Sequence, residues 1–240
     1  MCKKHKIAIA GHSIKDNTVM RLSEYGYEVF LLPANEELDT PVSSHADLSL
    51  FVIAEHLVVS YSYYQRNKEL IDKICDKASL SLTVSSTSSR SPYPFEVPFC
   101  ALNCENRLVI ANKTHLAPEI SDICTSLAVP VAHTAQGYAK CTALSFGDCI
   151  VSADTSTLNA ASDLGLSALK ISSGGVSLPG YDYGFIGGCC GFDEKNIYFC
   201  GSIDTHPDAK KIKDAAKERS INLISLGEHE LFDVGSILFV

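Results

Sequence analysis

The chain has 240 residues, a formal net charge of −8, 46% hydrophobic residues and 20% charged residues. That much apolar material can bury a large core, and no Gly/Ser-rich or charged linker divides it, so one domain over residues 1–240 is expected. The acidic balance and the scatter of Lys and Arg exclude nucleic acid as an obligatory partner, because phosphate binding needs clustered basic side chains.

In chain order one pattern recurs: apolar strand, polar turn, amphipathic helix, apolar strand, loop, short strand. Five copies run over approximately 6–54, 55–106, 107–148, 149–195 and 196–240, opening at Ile7-Ala8-Ile9-Ala10, Leu57-Val58-Val59-Ser60, Leu108-Val109-Ile110-Ala111, Ile150-Val151-Ser152-Ala153 and Ile197-Tyr198-Phe199-Cys200. Repetition at such a period is the mark of a propeller or stacked array. Apolar residues three or four apart give each helix one buried stripe, as in Leu70, Ile71, Ile74, Cys75 and Ala78, or Ile120, Ile123, Cys124 and Leu127. Asp204-Thr205-His206-Pro207 predicts a helix start at which Thr205 or Asp204 caps free amides and Pro207 needs no donor.

Second strands are expected at Val29–Leu32, Leu80–Val84, Val129–Val131, Leu169–Ile171 and Leu223–Leu226. Each copy then closes on a variable segment, and five divergent ends on a common frame are where specificity is expected. The run Ser85–Pro92 is the one low-complexity stretch, and its composition predicts a mobile surface loop with nothing to bury. No segment has the apolar length of a membrane span, and the run after Met1-Cys2-Lys3-Lys4-His5-Lys6 is too short for a signal peptide, so a cytoplasmic location without membrane contact is expected.

The ten cysteines are expected as reduced thiols, since the chain is far longer than a disulfide-stapled mini-domain. Cys75, Cys124, Cys149 and Cys200 fall on apolar positions, where a thiol behaves as a small hydrophobe. Cys100-x-x-x-Cys104 lacks a downstream His pair, His45-x-Asp47 is undemanding spacing, and Asp204-x-His206 is explained by the helix cap. Neither a metal nor a cofactor is therefore expected. Ser172-Ser173-Gly174-Gly175 follows a strand but leads into no helix, unlike a dinucleotide fingerprint.

Five ββαβ-like copies of this length, each ending in a variable loop and short strand, resemble the pentein superfamily. These are five-bladed α/β propellers that include guanidine-modifying hydrolases and amidinotransferases as well as the ribosome anti-association factor. Gly137-Tyr138-Ala139-Lys140-Cys141, Gly184-Phe185-Ile186-Gly187-Gly188 and Gly201-Ser202-Ile203-Asp204-Thr205-His206-Pro207 further resemble an uncharacterised bacterial branch. The resemblance implies a five-fold pseudosymmetric α/β fold, with a doubly wound α/β sheet as the second expectation. It also implies a central pocket holding a Cys nucleophile from the last copy, a His from the fourth and carboxylates that grip a guanidinium. That machinery does not transfer. No cysteine follows Cys200, Ser236 stands where the nucleophile is expected, and the fourth copy contains no histidine.

The five-fold frame directs other polar residues towards one axis: His45 and Asp47, Asn103, Gln136, Tyr138 and Lys140, Tyr181, Asp182 and Tyr183, and Asp233. Carboxylates with amides and tyrosines suit a small cationic, amide- or amidine-bearing ligand. Cys141 is the suggestive thiol, with Lys140 placed to lower its pKa and His45 and Asp47 as partners if the first and third copies meet; Cys189 and Cys190 are its rivals. Two classes stand open. One is a binding protein for such a ligand or for a protein surface. The other is a hydrolase or transferase acting on C–N bonds of a guanidino or amidine compound with a non-standard cysteine. The oligomeric state is not legible.

Overall fold

A computed structural model describes residues 6–240. Met1–His5, including Cys2 and the stretch read above as no signal peptide, lies outside the described residues. The chain begins with β1 (Ile7–Gly11), α1 (Asp16–Glu24) and β2 (Glu28–Leu32). β3 (Leu50–Ile53) leads into β4 (His56–Val59), α2 (Tyr61–Ala78) and β5 (Ser81–Val84). β6 (Leu102–Cys104) leads into β7 (Leu108–Ala111), α3 (Pro118–Ser126) and β8 (Val131–His133). A short α4 (Ala139–Thr142) and β9 (Ala143–Phe146) precede β10 (Cys149–Ser152), α5 (Thr155–Ser162) and β11 (Ser167–Lys170). After β12 (Val176–Ser177), β13 (Cys190–Phe192) leads into β14 (Asn196–Phe199), α6 (Ala209–Glu218) and β15 (Asn222–Ser225); β16 (Leu231–Phe232) and β17 (Leu238–Phe239) follow.

The strands form a mixed α/β arrangement of five three-stranded sheets, β17-β1-β2, β3-β4-β5, β6-β7-β8, β9-β10-β11 and β13-β14-β15, with a two-stranded sheet β12-β16 beside them. In each three-stranded sheet the middle strand pairs parallel to the strand after its helix and antiparallel to the third strand. A parallel neighbour needs a crossover, which the helix supplies. The short strand that closes each copy therefore pairs with the opening strand of the next one, β3 with β4 and β6 with β7, while β17 returns to β1. A single doubly wound sheet does not form, because parallel pairing stops after two strands in every sheet.

Middle strands are nearly continuous apolar runs, buried along their length as in β1 and β7. That is the expected pattern for a strand covered on both faces. The helix stripes dock as their spacing predicts, with Ile71, Ile74 and Cys75 of α2 and Ile120 and Cys124 of α3 buried.

Two local expectations are corrected. α6 starts at Ala209 rather than near Thr205; residues 203–205 form a separate 3₁₀ turn, and the imidazole Nδ1 of His206 accepts from the Asp208 amide at 3.0 Å. The Ser-rich run is pinned by its hydroxyls. Ser85 Oγ and both the amide and hydroxyl of Ser86 donate to the Glu119 carboxylate at 2.7–2.8 Å, and Ser89, fully buried, donates to the Glu96 carbonyl at 2.8 Å. Composition reported an absence of apolar surface, but a hydroxyl can be buried where its hydrogen bond is made.

Candidate active site

Each short segment entering an antiparallel strand delivers side chains or backbone to one buried junction. The turn before β3 brings His45 and Asp47, the loop before β6 brings Cys100, and α4 brings Cys141. The segment before β13 brings Gly187 and Gly188, and that before β17 brings Asp233 and Ser236.

Asp47 is the hub. Its Oδ2 accepts from the Cys141 thiol at 3.1 Å and from the Ser236 hydroxyl at 2.6 Å, while its Oδ1 has no partner. Ser236 also lies 2.9 Å from the Gly187 carbonyl. His45 Nε2 stands 3.7 Å from Asp233 Oδ1, too far for a hydrogen bond, and is likewise unpartnered. The Asp233 oxygens accept from the amides of Phe185 at 2.8 Å and Gly235 at 3.0 Å. None of these five residues is more than 4% exposed.

Glycines make the approach possible. A Cβ on Gly188 would sit 2.1 Å from Asp233 Oδ1, and one on Gly235, whose φ is +70°, would sit 2.2 Å from the His45 Cα. The glycines of Gly187-Gly188 thus admit a carboxylate and a neighbouring turn.

The thiol is not activated at rest. The Cys100 sulfur 3.6 Å away, burial, and the charges of Asp47 and Asp233 all push Cys141 well above the ordinary thiol range. Lys140 does not reverse this, because its ammonium is directed to the Gly187 carbonyl at 3.4 Å. Both residues lie on α4. Burial likewise raises Asp233, with His45 opposing. Cys189 and Cys190 are fully buried and both donate to the Ile186 carbonyl, at 3.2 and 3.1 Å.

The other expected residues lie around this junction or away from it. Asn103 is engaged in a local turn, donating to Val52 O and to Asn106 Oδ1. Tyr138 donates to Glu96, and its own amide donates to Gln136 Oε1 at 3.0 Å. Gln136 and Tyr183 line a cleft of about 130 Å³, whose walls also include Thr142, Gly184, Phe185 and His206. The cleft shares Phe185 with the junction, where that residue's amide holds Asp233. Tyr181 and Asp182 are exposed beside it in sequence. Cys100 was missed as a site residue, although its place two residues before β6, matching Asp47 three before β3, could have flagged it.

Solved structures with the same fold are pentein-superfamily proteins. Dimethylarginine dimethylaminohydrolase from Pseudomonas aeruginosa, complexed with citrulline, superposes with a TM-score of 0.54 at 8% identity, over 93% of this chain and 92% of its own. SxtG, an amidinotransferase of the saxitoxin pathway from Microseira wollei, gives 0.55 at 12% identity over 90% of this chain and 75% of its own. The cyanobacterial arginine dihydrolase ArgZ gives 0.53 at 12% identity over 92% of this chain, which spans only 36% of ArgZ. At such identities the likeness carries the fold alone. No curated protein matches the sequence. Residues 9–238 match the model of the Family of unknown function (DUF6873), and the chain belongs to that family.

Proposed function

We propose that the protein acts on the C–N bond of a small guanidino or amidine compound, with its five sheets arranged as the blades of a pentein propeller and Cys141 as the attacking group. The observation that carries this reading is the convergence of Cys141, Asp47 and His45, from two distant parts of the chain, with a carboxylate oxygen 3.1 Å from the thiol. A guanidinium held between Asp47 and Asp233 would place positive charge beside Cys141 and reverse the electrostatics that keep the thiol protonated. Asp47 then takes the thiol proton as the S–C bond forms. The C–N bond breaks as the amine leaves with a proton from His45, and water or a second amine displaces the thiolate. Entry requires the Tyr183–Ile186 wall shared with the cleft to move.

The sealed resting junction favours one further reading, a protein that binds such a cation without turning it over. Incubation with L-arginine, dimethylarginine and simple amidines, followed by assays for released amine and ureido product, separates the two. Turnover that disappears in Cys141→Ser supports catalysis. A rise in Tm without turnover supports binding, and neither response to any of these compounds overturns both.

A further inference from the structure

Three features of the junction point beyond an organic cation. One ring nitrogen of His45, a carboxylate oxygen of Asp47 and the Cys141 sulfur lie within 4.8 Å of one another. His45 Nε2 and Asp47 Oδ1 are buried without a hydrogen-bond partner. Their residues are only 4% and 1% exposed. Burying a polar atom unpaired costs about 1–3 kcal/mol, and here two such atoms belong to the two residues that cluster with the Cys141 thiol.

We propose that His45, Asp47 and Cys141 form a three-ligand site for a borderline-soft divalent cation, with zinc as the natural occupant. An imidazole, a carboxylate and a thiolate are the donor types zinc takes, and three protein ligands leave one position open for water or a ligand. Tetrahedral zinc with arms of about 2.0–2.3 Å sets its donors about 3.5 Å apart, so the widest pair closes from at most 4.8 Å while Asp47 Oδ2 and Cys141 Sγ, 3.1 Å apart, open slightly. Rotation of the Asp47 carboxylate away from Ser236 accomplishes part of this. As the metal–sulfur bond forms, the thiol proton passes to solvent. Ser236 borders the cluster through its hydrogen bond to Asp47, and Asp233, held by backbone amides, stands 3.7 Å from His45 Nε2. Calcium and magnesium do not fit, because they take all-oxygen shells.

The proposal does not rest on the guanidino chemistry but competes with it for Cys141: a metal-bound thiolate is not free to attack carbon, so turnover would require the metal-free thiol. Cobalt(II) added to the chelator-treated native protein tests it, with the spectrum followed to completion. One equivalent per chain should develop thiolate-to-cobalt charge-transfer absorption and the intense visible bands of a tetrahedral ion. Zinc should displace it. Cys141→Ser should abolish the charge-transfer band, and His45→Ala and Asp47→Asn should each weaken binding by about 100-fold, whereas Cys124→Ala, in a different part of the core, should leave it unchanged. Circular dichroism checks that each variant is folded. If Cys141→Ser fails to fold, a zinc-dependent rise in Tm present in wild type and absent in Asp47→Asn carries the test. A folded wild-type protein with no thiolate band, or a band that survives in Cys141→Ser, overturns the proposal whatever the outcome of the turnover assays.

Discussion

Asp47 and Ser236, 189 positions apart in the chain, share a fully buried hydrogen bond of 2.6 Å. The Asp47 oxygen that accepts it also takes the Cys141 thiol, so one carboxylate holds together segments from the first, third and last parts of the chain.

Removing the hub should cost more than removing one spoke. Ser236→Ala should destabilise by about 1 kcal/mol, the net worth of a lost hydrogen bond. Asp47→Ala strands the thiol, leaves the Ser236 hydroxyl only the Gly187 carbonyl and opens a gap at the junction, and should cost about 3 kcal/mol. Urea unfolding midpoints measure both; equal losses would show that Asp47 is not the organising group.

Among the nine described cysteines, all free and buried, Cys75 is the least enclosed at 6% exposed, and the rest are at or below 2%. Burial and then the nearby Asp72 and Asp76 charges push its thiol up to about 11. Native iodoacetamide labelling mapped by mass spectrometry should therefore find Cys75 first of the nine, with a rate climbing about tenfold per pH unit until near pH 11. Fast labelling of Cys141 at neutral pH would contradict the sealed junction.

Asp208 supplies a pH-dependent contribution. The Lys211 ammonium at 2.6 Å and the Ser172 amide at 2.7 Å hold its carboxyl well below the usual carboxylate range. A carboxyl with a depressed folded pKa stabilises fully above its unfolded value, about 3.9, and loses that contribution as the pH falls through the folded one. Asp208→Asn should lower Tm by about 2 °C at pH 7, and the deficit should close as the pH drops below about 4. Because Lys211 is exposed, high salt should shrink the deficit.

The repeat was legible because burial on both faces imposes apolar runs. Openings such as Leu108–Ala111 coincide with β7, and second strands such as Leu80–Val84 and Leu223–Leu226 fall within a residue of β5 and β15 at each end. The convergence of His45, Asp47, Cys141 and Asp233 also follows from the repeat, since equivalent loop ends meet. Cys100 escaped because one thiol before a strand looks like core until its neighbour at 3.6 Å is known. The cation site escaped because sequence spacing can reveal ligands only when they are local, and its thiol is 94 residues from its carboxylate. The order of the Ser-rich run was hidden for a related reason: its acceptors, Glu119 and the Glu96 carbonyl, lie outside it.

The pairing of β17 with β1 sets a condition on synthesis. Ile7 exchanges both backbone hydrogen bonds with Val240, at 3.2 and 3.0 Å, and Ala8 and Ile9 face Phe239 and Leu238. On the ribosome, one edge of β1 must wait unpaired until β17 emerges, an exposed apolar edge of the kind that recruits other chains. The β17-β1-β2 sheet is thus completed only after the other four three-stranded sheets have been made, and a chain interrupted before β17 presents a sticky edge.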